Sequence, residues 1–212
     1  MHTRTLLAAL AVAATMSVAP AHAQWSGDGL KGMLGNASDA ALDKLSKPGA
    51  FSADDAIRIT LPGGGKGLGD LMKLTDRAGV TNDITGSLNR AAEQAASEAK
   101  PIFRSAIDRI TLKDAVGIGT GGNTAATDYL RKTSGDEITA RLGPLVVAAL
   151  EKSGVLKETS QLSSFGMTPD KIKDYVTKKT SDGIFTYVGR EETHLRQNPL
   201  ESGKALMNGL KF

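Results

Sequence analysis

Three runs in the sequence have residue types and spacings that suit known chemistry. Gly117-Ile118-Gly119-Thr120-Gly121-Gly122 is a literal G-x-G-x-x-G. In a dinucleotide site that pattern follows a strand and opens a helix, so that backbone amides meet the pyrophosphate. Here Thr111 and Asp114 upstream form a capping box, which predicts a helix before the glycines. The run therefore reads as a helix end, with Asn123 capping the helix that follows. Gly65-Lys66-Gly67 has neither the Ser/Thr that would hold magnesium nor a buried strand before it, and reads as linker. Glu191 and His194 form Glu-x-x-His, which puts both side chains on one helical face. Di-iron bundles need two such motifs, and beyond residue 23 His194 is the only histidine. A solvated helix face explains that spacing better. No G-x-S-x-G accompanies His194, and Ser163-Ser164-Phe165-Gly166 reads as polar loop. No catalytic residue, metal site or cofactor is expected.

A second kind of site would need no nucleophile. Asn89, Arg90 and Glu93 share one alanine-rich helix. Arg90 and Glu93 could be a surface ion pair worth about 0.5 kcal/mol or less. Alternatively, Asn89, Arg90 and Glu93 could face a groove with Thr127 and Tyr129 and orient a ligand headgroup or a partner's backbone. A carboxylate hydrolase is a separate possibility, with Glu93, Glu98 or Asp108 as acid and base. It would need two carboxyls about 5–10 Å apart across a cleft.

The elements that must position these residues read as helices. Ser134 with Glu137 and Thr111 with Asp114 have capping-box spacing, while Thr168-Pro169 and Asn198-Pro199 place a cap before a first-turn proline. Apolar residues recur at helical period from Ile84 to Ile110, from Ile138 to Leu150 and from Ile172 to Leu195. Pro101 must kink or split the first of these, and Gly143-Pro144 predicts a kink in the second. Unbroken, the third would be on the order of 40 Å long. Ile57-Arg58-Ile59-Thr60-Leu61 alternates instead and predicts an extended segment over 57–62, although Ser52 with Asp55 also has cap spacing. The Pro62–Gly67 run is a flexible linker. No second segment alternates, so the expected fold is all-α, an irregular multi-helix bundle without internal repeats.

Composition narrows the function classes. The chain has 212 residues and no cysteine, which excludes disulfides, thiol nucleophiles, thiolate zinc, iron–sulfur clusters and a cysteine-linked lipid anchor. A single domain of this length buries roughly 70% of its unfolded surface without such staples. Arg4, the apolar run Leu6–Val18 and Ala21-His22-Ala23 form the three regions of a secretory signal peptide. Residues 1–23 are therefore expected to be removed before Gln24, and residues 24–212 to form one periplasmic domain. Within it, residues 24–66 are an N-terminal arm that could either pack or swing free. Loss of Arg4 lowers the formal charge from +3 to +2, and acids and bases interleave, so no nucleic-acid partner is expected. No later stretch is apolar enough to cross a bilayer. The terminal Phe212 does not make a barrel of a chain with helical periods.

Three stretches carry a family resemblance. The first is Leu88-Asn89-Arg90-Ala91-Ala92-Glu93 continuing through Glu98-Ala99-Lys100-Pro101-Ile102-Phe103. The second is Thr120 to Leu130, and the third is Asp182-Gly183-Ile184-Phe185 with Arg190-Glu191-Glu192 and Leu195 to Pro199. Together they resemble the bacterial family catalogued as domain of unknown function 4197. Ile57 to Pro62 is similar to that family's Ile-Lys-Ile-Pro-Leu-Pro segment, with Thr60 where the first proline would stand, and Gly63–Gly67 is unusual for it. The resemblance implies a helical envelope protein of Gram-negative-type bacteria, and it brings no catalytic residues. The function expected is a non-enzymatic binding or interaction protein of the envelope. Its partner would be an envelope protein or a small apolar ligand between helices.

Overall fold

The computed structural model describes residues 27–61, 80–159 and 168–198. Within them run eight helices: α1 (Gly27–Leu45), α2 (Ala50–Ala53), α3 (Val80–Glu98), α4 (Lys100–Asp108), α5 (Leu112–Gly119), α6 (Ala125–Ser153), α7 (Val155–Thr159) and α8 (Pro169–Gln197). No strand occurs among the described residues. The fold is the expected all-α, irregular multi-helix bundle. Residues 1–23, the Gly63–Gly67 linker, the Ser163–Gly166 loop, Pro199 and Phe212 lie outside the described residues.

Local chemistry explains most boundaries. α3 ends at Glu98 and α4 starts at Lys100, with Pro101 in its first turn, so Pro101 splits the stripe. Thr111 caps α5: its hydroxyl accepts from the Asp114 amide while the Asp114 carboxylate accepts from the Thr111 amide at 3.0 Å. Thr168 caps α8 ahead of Pro169. α8 runs unbroken for 29 residues, which makes it about 40 Å long.

Two sequence expectations are corrected. No helix begins at Ser134, because α6 passes through it; Leu130 and Ile138 are buried on either side, and their packing carries the helix past the cap signal. Glu137 instead reaches Arg109 at 2.6 Å. α6 runs through Pro144 without ending, at a position where Ala140 and Pro144 both face solvent and water can serve the carbonyl left unpaired. Asn123 is exposed and does not cap α6; Thr124 stands at the cap position, and its hydroxyl makes no capping bond.

α6 and α8 pack antiparallel: Glu192 meets Ala126 at one end and Lys173 meets Glu151 at the other. α1 lies across α8, with Leu30, Met33, Leu34, Leu42 and Leu45 in the core. Of the N-terminal arm, α1 is thus packed from Leu30 to Leu45, and Phe51, Ile57, Ile59 and Leu61 are buried beyond it. On α3, Ala91, Ala92, Ala95 and Ala96 are buried, and these short side chains let α6 approach closely. Gly183 serves the same end on α8, since a Cβ there would lie 2.7 Å from a Phe51 ring carbon.

Candidate functional site

The segment after α2 has the alternation read from its sequence. Ile57, Ile59 and Leu61 are buried while Arg58 and Thr60 are exposed. It has no strand partner among the described residues, and Asn89 supplies hydrogen bonds that such a partner would make. The Asn89 amide accepts from the Ile59 N–H at 2.9 Å and donates to the Ile59 carbonyl at 2.7 Å. One side chain thus satisfies both backbone groups of a buried residue, as a neighbouring strand would. Its second N–H goes to the Thr85 carbonyl at 2.7 Å. One turn on, the buried Glu93 accepts from the Phe51 amide at 3.1 Å, within the first turn of α2. The Tyr175 hydroxyl donates to the Thr60 carbonyl at 2.9 Å.

The same strap is fastened to α8 by charge. Asp54 accepts from the Tyr187 hydroxyl at 3.0 Å and from Arg190, and its other oxygen accepts from the Ala56 amide at 2.9 Å. Arg190 lies 4.8 Å over the Tyr187 ring. The Arg190 guanidinium, helped by the Ala56 amide, lowers the Asp54 pKa from 3.8 to about 2. Burial, and then the Asp54 carboxylate, push the Tyr187 phenol up.

A second junction ties α6 to α8. Glu192 is fully buried, and its carboxylate takes the Ala126 amide at 3.0 Å, the Thr127 amide at 2.7 Å and the Thr127 hydroxyl at 2.6 Å. Arg196, one turn along α8 and 10% exposed, donates to the same carboxylate at 2.8 Å. The first-turn amides of α6 are therefore capped from another helix, with negative charge at the positive end of the α6 dipole. This is why Thr124 needs no capping bond of its own.

The five candidates from the sequence therefore divide among separate tasks. Asn89 and Glu93 hold the strap, and Thr127 belongs to the Glu192 junction. Tyr129 is half-buried and hydrogen-bonds Asp114 of α5; burial and then that carboxylate push its phenol up, while Asp114 is lowered chiefly by the Thr111 hydroxyl. Arg90 is exposed and donates to the Ser87 hydroxyl at 2.7 Å. Glu192 escaped the candidate list, although its position shows in the sequence: it stands four residues after Val188 and three before Leu195, on the apolar stripe of α8. A carboxylate on a buried stripe needs partners.

The other candidate groups are also placed. Glu191 binds Lys44 at 2.5 Å, and His194 is exposed. Gly117 and Gly119 fall in the last turn of α5, after a helix rather than a strand. A Cβ on Gly121 would lie 2.5 Å from the Ala125 methyl, so close packing accounts for that glycine. Glu98 and Asp108 are exposed, and neither they nor Glu93 line the cleft between α6 and α8.

That cleft has a volume of about 290 Å³. α6 contributes Thr124, Thr127, Asp128 and Arg131, at i, i+3, i+4 and i+7. α8 contributes Thr186, Gly189, Arg190 and Thr193 at the same spacing, with Phe185 beside them. Two polar helical stripes thus face each other across an open groove. Arg131 lies 4.9 Å over the Phe185 ring and donates to the Asp182 carbonyl at 3.3 Å.

A helical bundle, pinned among the described residues by buried polar junctions and opened by a polar groove, is the class of protein that this geometry defines. The chain belongs to the family described as protein of unknown function (DUF4197), whose model matches residues 21–210. No curated protein and no solved structure matches it. No helix among the described residues is long and apolar enough to cross a membrane.

Proposed function

We propose that this chain is an exported periplasmic protein that binds a partner or ligand without transforming it, and that the α6–α8 cleft is where docking occurs. One observation carries the reading. The buried polar side chains of the motif stretches, Asn89, Glu93, Thr127 and Glu192, are committed to backbone amides and carbonyls of the chain itself. Groups that could act as acid, base or orienting amide are thus held in the architecture. Among the described residues, the cleft presents an open polar groove, with its threonines, Asp128 and two arginines. Glu93, Glu98 and Asp108 do not meet across it, which removes support from a carboxylate hydrolase. Export rests on the pattern of residues 1–23.

Native mass spectrometry of the protein from a periplasmic extract of its own host tests both parts. The expected result is a chain beginning at Gln24 that carries a bound molecule or protein. A chain found only in the cytoplasm with residues 1–23 intact would refute export. A bare chain under gentle conditions would refute tight binding.

A further inference from the structure

The cleft has a chemistry that selects among ligands. Thr124 gives its hydroxyl proton to Asp128 at 2.9 Å, Thr186 to the Asp182 carbonyl at 2.8 Å and Thr193 to the Gly189 carbonyl at 2.8 Å. With those protons engaged, the three oxygens offer acceptor lone pairs to the groove. The donors come from arginine. Arg190 is fastened to Asp54 and stacked on Tyr187. Arg131 is 45% exposed: one N–H goes to the Asp182 carbonyl at 3.3 Å and the Asp182 carboxylate lies 3.9 Å away, while a guanidinium has further N–H groups to offer the groove. One turn before it on the same face stands the exposed Asp128. Side chains one turn apart are about 5–6 Å apart at their Cβ atoms.

We propose, building on the reading of this cleft as the docking site, that its ligand is a free α-amino acid. The ligand carboxylate takes two parallel N–H bonds from Arg131. The ammonium, on the same carbon, reaches Asp128 and the Thr124 oxygen one turn away. The ligand side chain lies along α8 toward Gly189. A cleft of about 290 Å³ holds a molecule of this size. The arrangement discriminates by pairing: a ligand lacking either charge leaves Arg131 or Asp128 without its counterpart.

The test is calorimetric titration of the protein, expressed from its full coding sequence, with each of the twenty L-amino acids. The best binder is then repeated as its N-acetyl and its carboxamide forms. Amide NMR shifts locate the site. At least one free amino acid is expected to bind and to move the Gly189 and Thr193 amides. Both capped forms should bind about tenfold or more weakly, as should Arg131→Gln and Asp128→Asn variants. Asp182→Asn, which removes a competitor for Arg131, should bind at least as tightly as wild type. Arg109→Gln, at a residue that pairs with Glu137 and does not line the cleft, should leave affinity unchanged. Unchanged urea midpoints establish that the variants are folded. The proposal is overturned if no amino acid moves those amides at millimolar concentration, or if capped forms bind as well as free ones. Another molecule found on the native protein would overturn the amino-acid assignment alone and leave the binding reading standing.

Discussion

The Glu192 carboxylate accepts both the amide and the hydroxyl of Thr127, at 2.7 and 2.6 Å, although 65 residues separate them. A helix start is normally capped from within a few residues. Here the cap crosses from α8 to α6, so one side chain both starts a helix and joins two. Arg196 neutralises the buried charge.

Replacing Glu192 should therefore cost far more than an ordinary cap. Glu192→Ala orphans two amides and leaves Arg196 without its carboxylate counter-charge, and the expected loss is about 3–5 kcal/mol. Glu192→Gln keeps an acceptor for one amide and should lose less. Urea unfolding, read by circular dichroism, gives both values, and equal losses would contradict the role assigned to the charge.

Asn89 predicts a local effect. Asn89→Leu removes both hydrogen bonds to Ile59 and leaves a buried donor and acceptor unpaired, at about 1–3 kcal/mol for each group. Amide exchange at Ile59 should accelerate well before exchange at the centre of α6. Uniform acceleration throughout the chain would show that the strap does not detach by itself.

Gly183 and Phe51 should behave as a coupled pair. Gly183→Ala drives a methyl to 2.7 Å from the Phe51 ring and should destabilise by about 1–3 kcal/mol. Phe51→Leu should destabilise too, by opening space. In the double variant the two losses should sum to less than their separate values, because the methyl enters the space vacated. Strict additivity would refute the close approach.

The Asp54 fastening should be sensitive to acid. Its folded pKa, about 2, lies below the ordinary 3.8, so its contribution is fully present above about pH 4 and is lost as pH falls toward 2. At 22% exposure, solvent screening limits that contribution to about 1 kcal/mol. The stability gap between wild type and Asp54→Asn should be open at pH 6, narrow below about pH 4 and close only below about pH 2. A gap that is constant with pH would exclude the linkage.

The sequence reveals this fold wherever the cause is local. Pro101 breaks a helix, Thr111 and Asp114 begin one, and Thr168-Pro169 begins another, each through contacts within one turn. Alternation over residues 57–61 marks an extended segment because burial itself alternates there. The misread positions have distant causes. Ser134 carries a cap signal that packing of Leu130 and Ile138 overrides. Asn123 looks like a cap, but Glu192 fills that place from α8. Asn89, Arg90, Glu93, Thr127 and Tyr129 read as one polar cluster because the type of a residue does not disclose which groups it will meet.

The position of α8 has a consequence for how the molecule is made. α1 packs on it, the strap is tied to its Tyr175, Tyr187 and Arg190, and α6 is capped by its Glu192. A ribosome delivers α8 after all the other described helices. Until Arg196 has emerged, α1 lacks one of its main neighbours and α6 lacks its cap, so the nascent chain cannot close its core. Under the proposed route such a delay keeps the polypeptide threadable while it crosses the inner membrane. Shortening the chain within the last two turns of α8 would leave synthesis intact and folding unfinished.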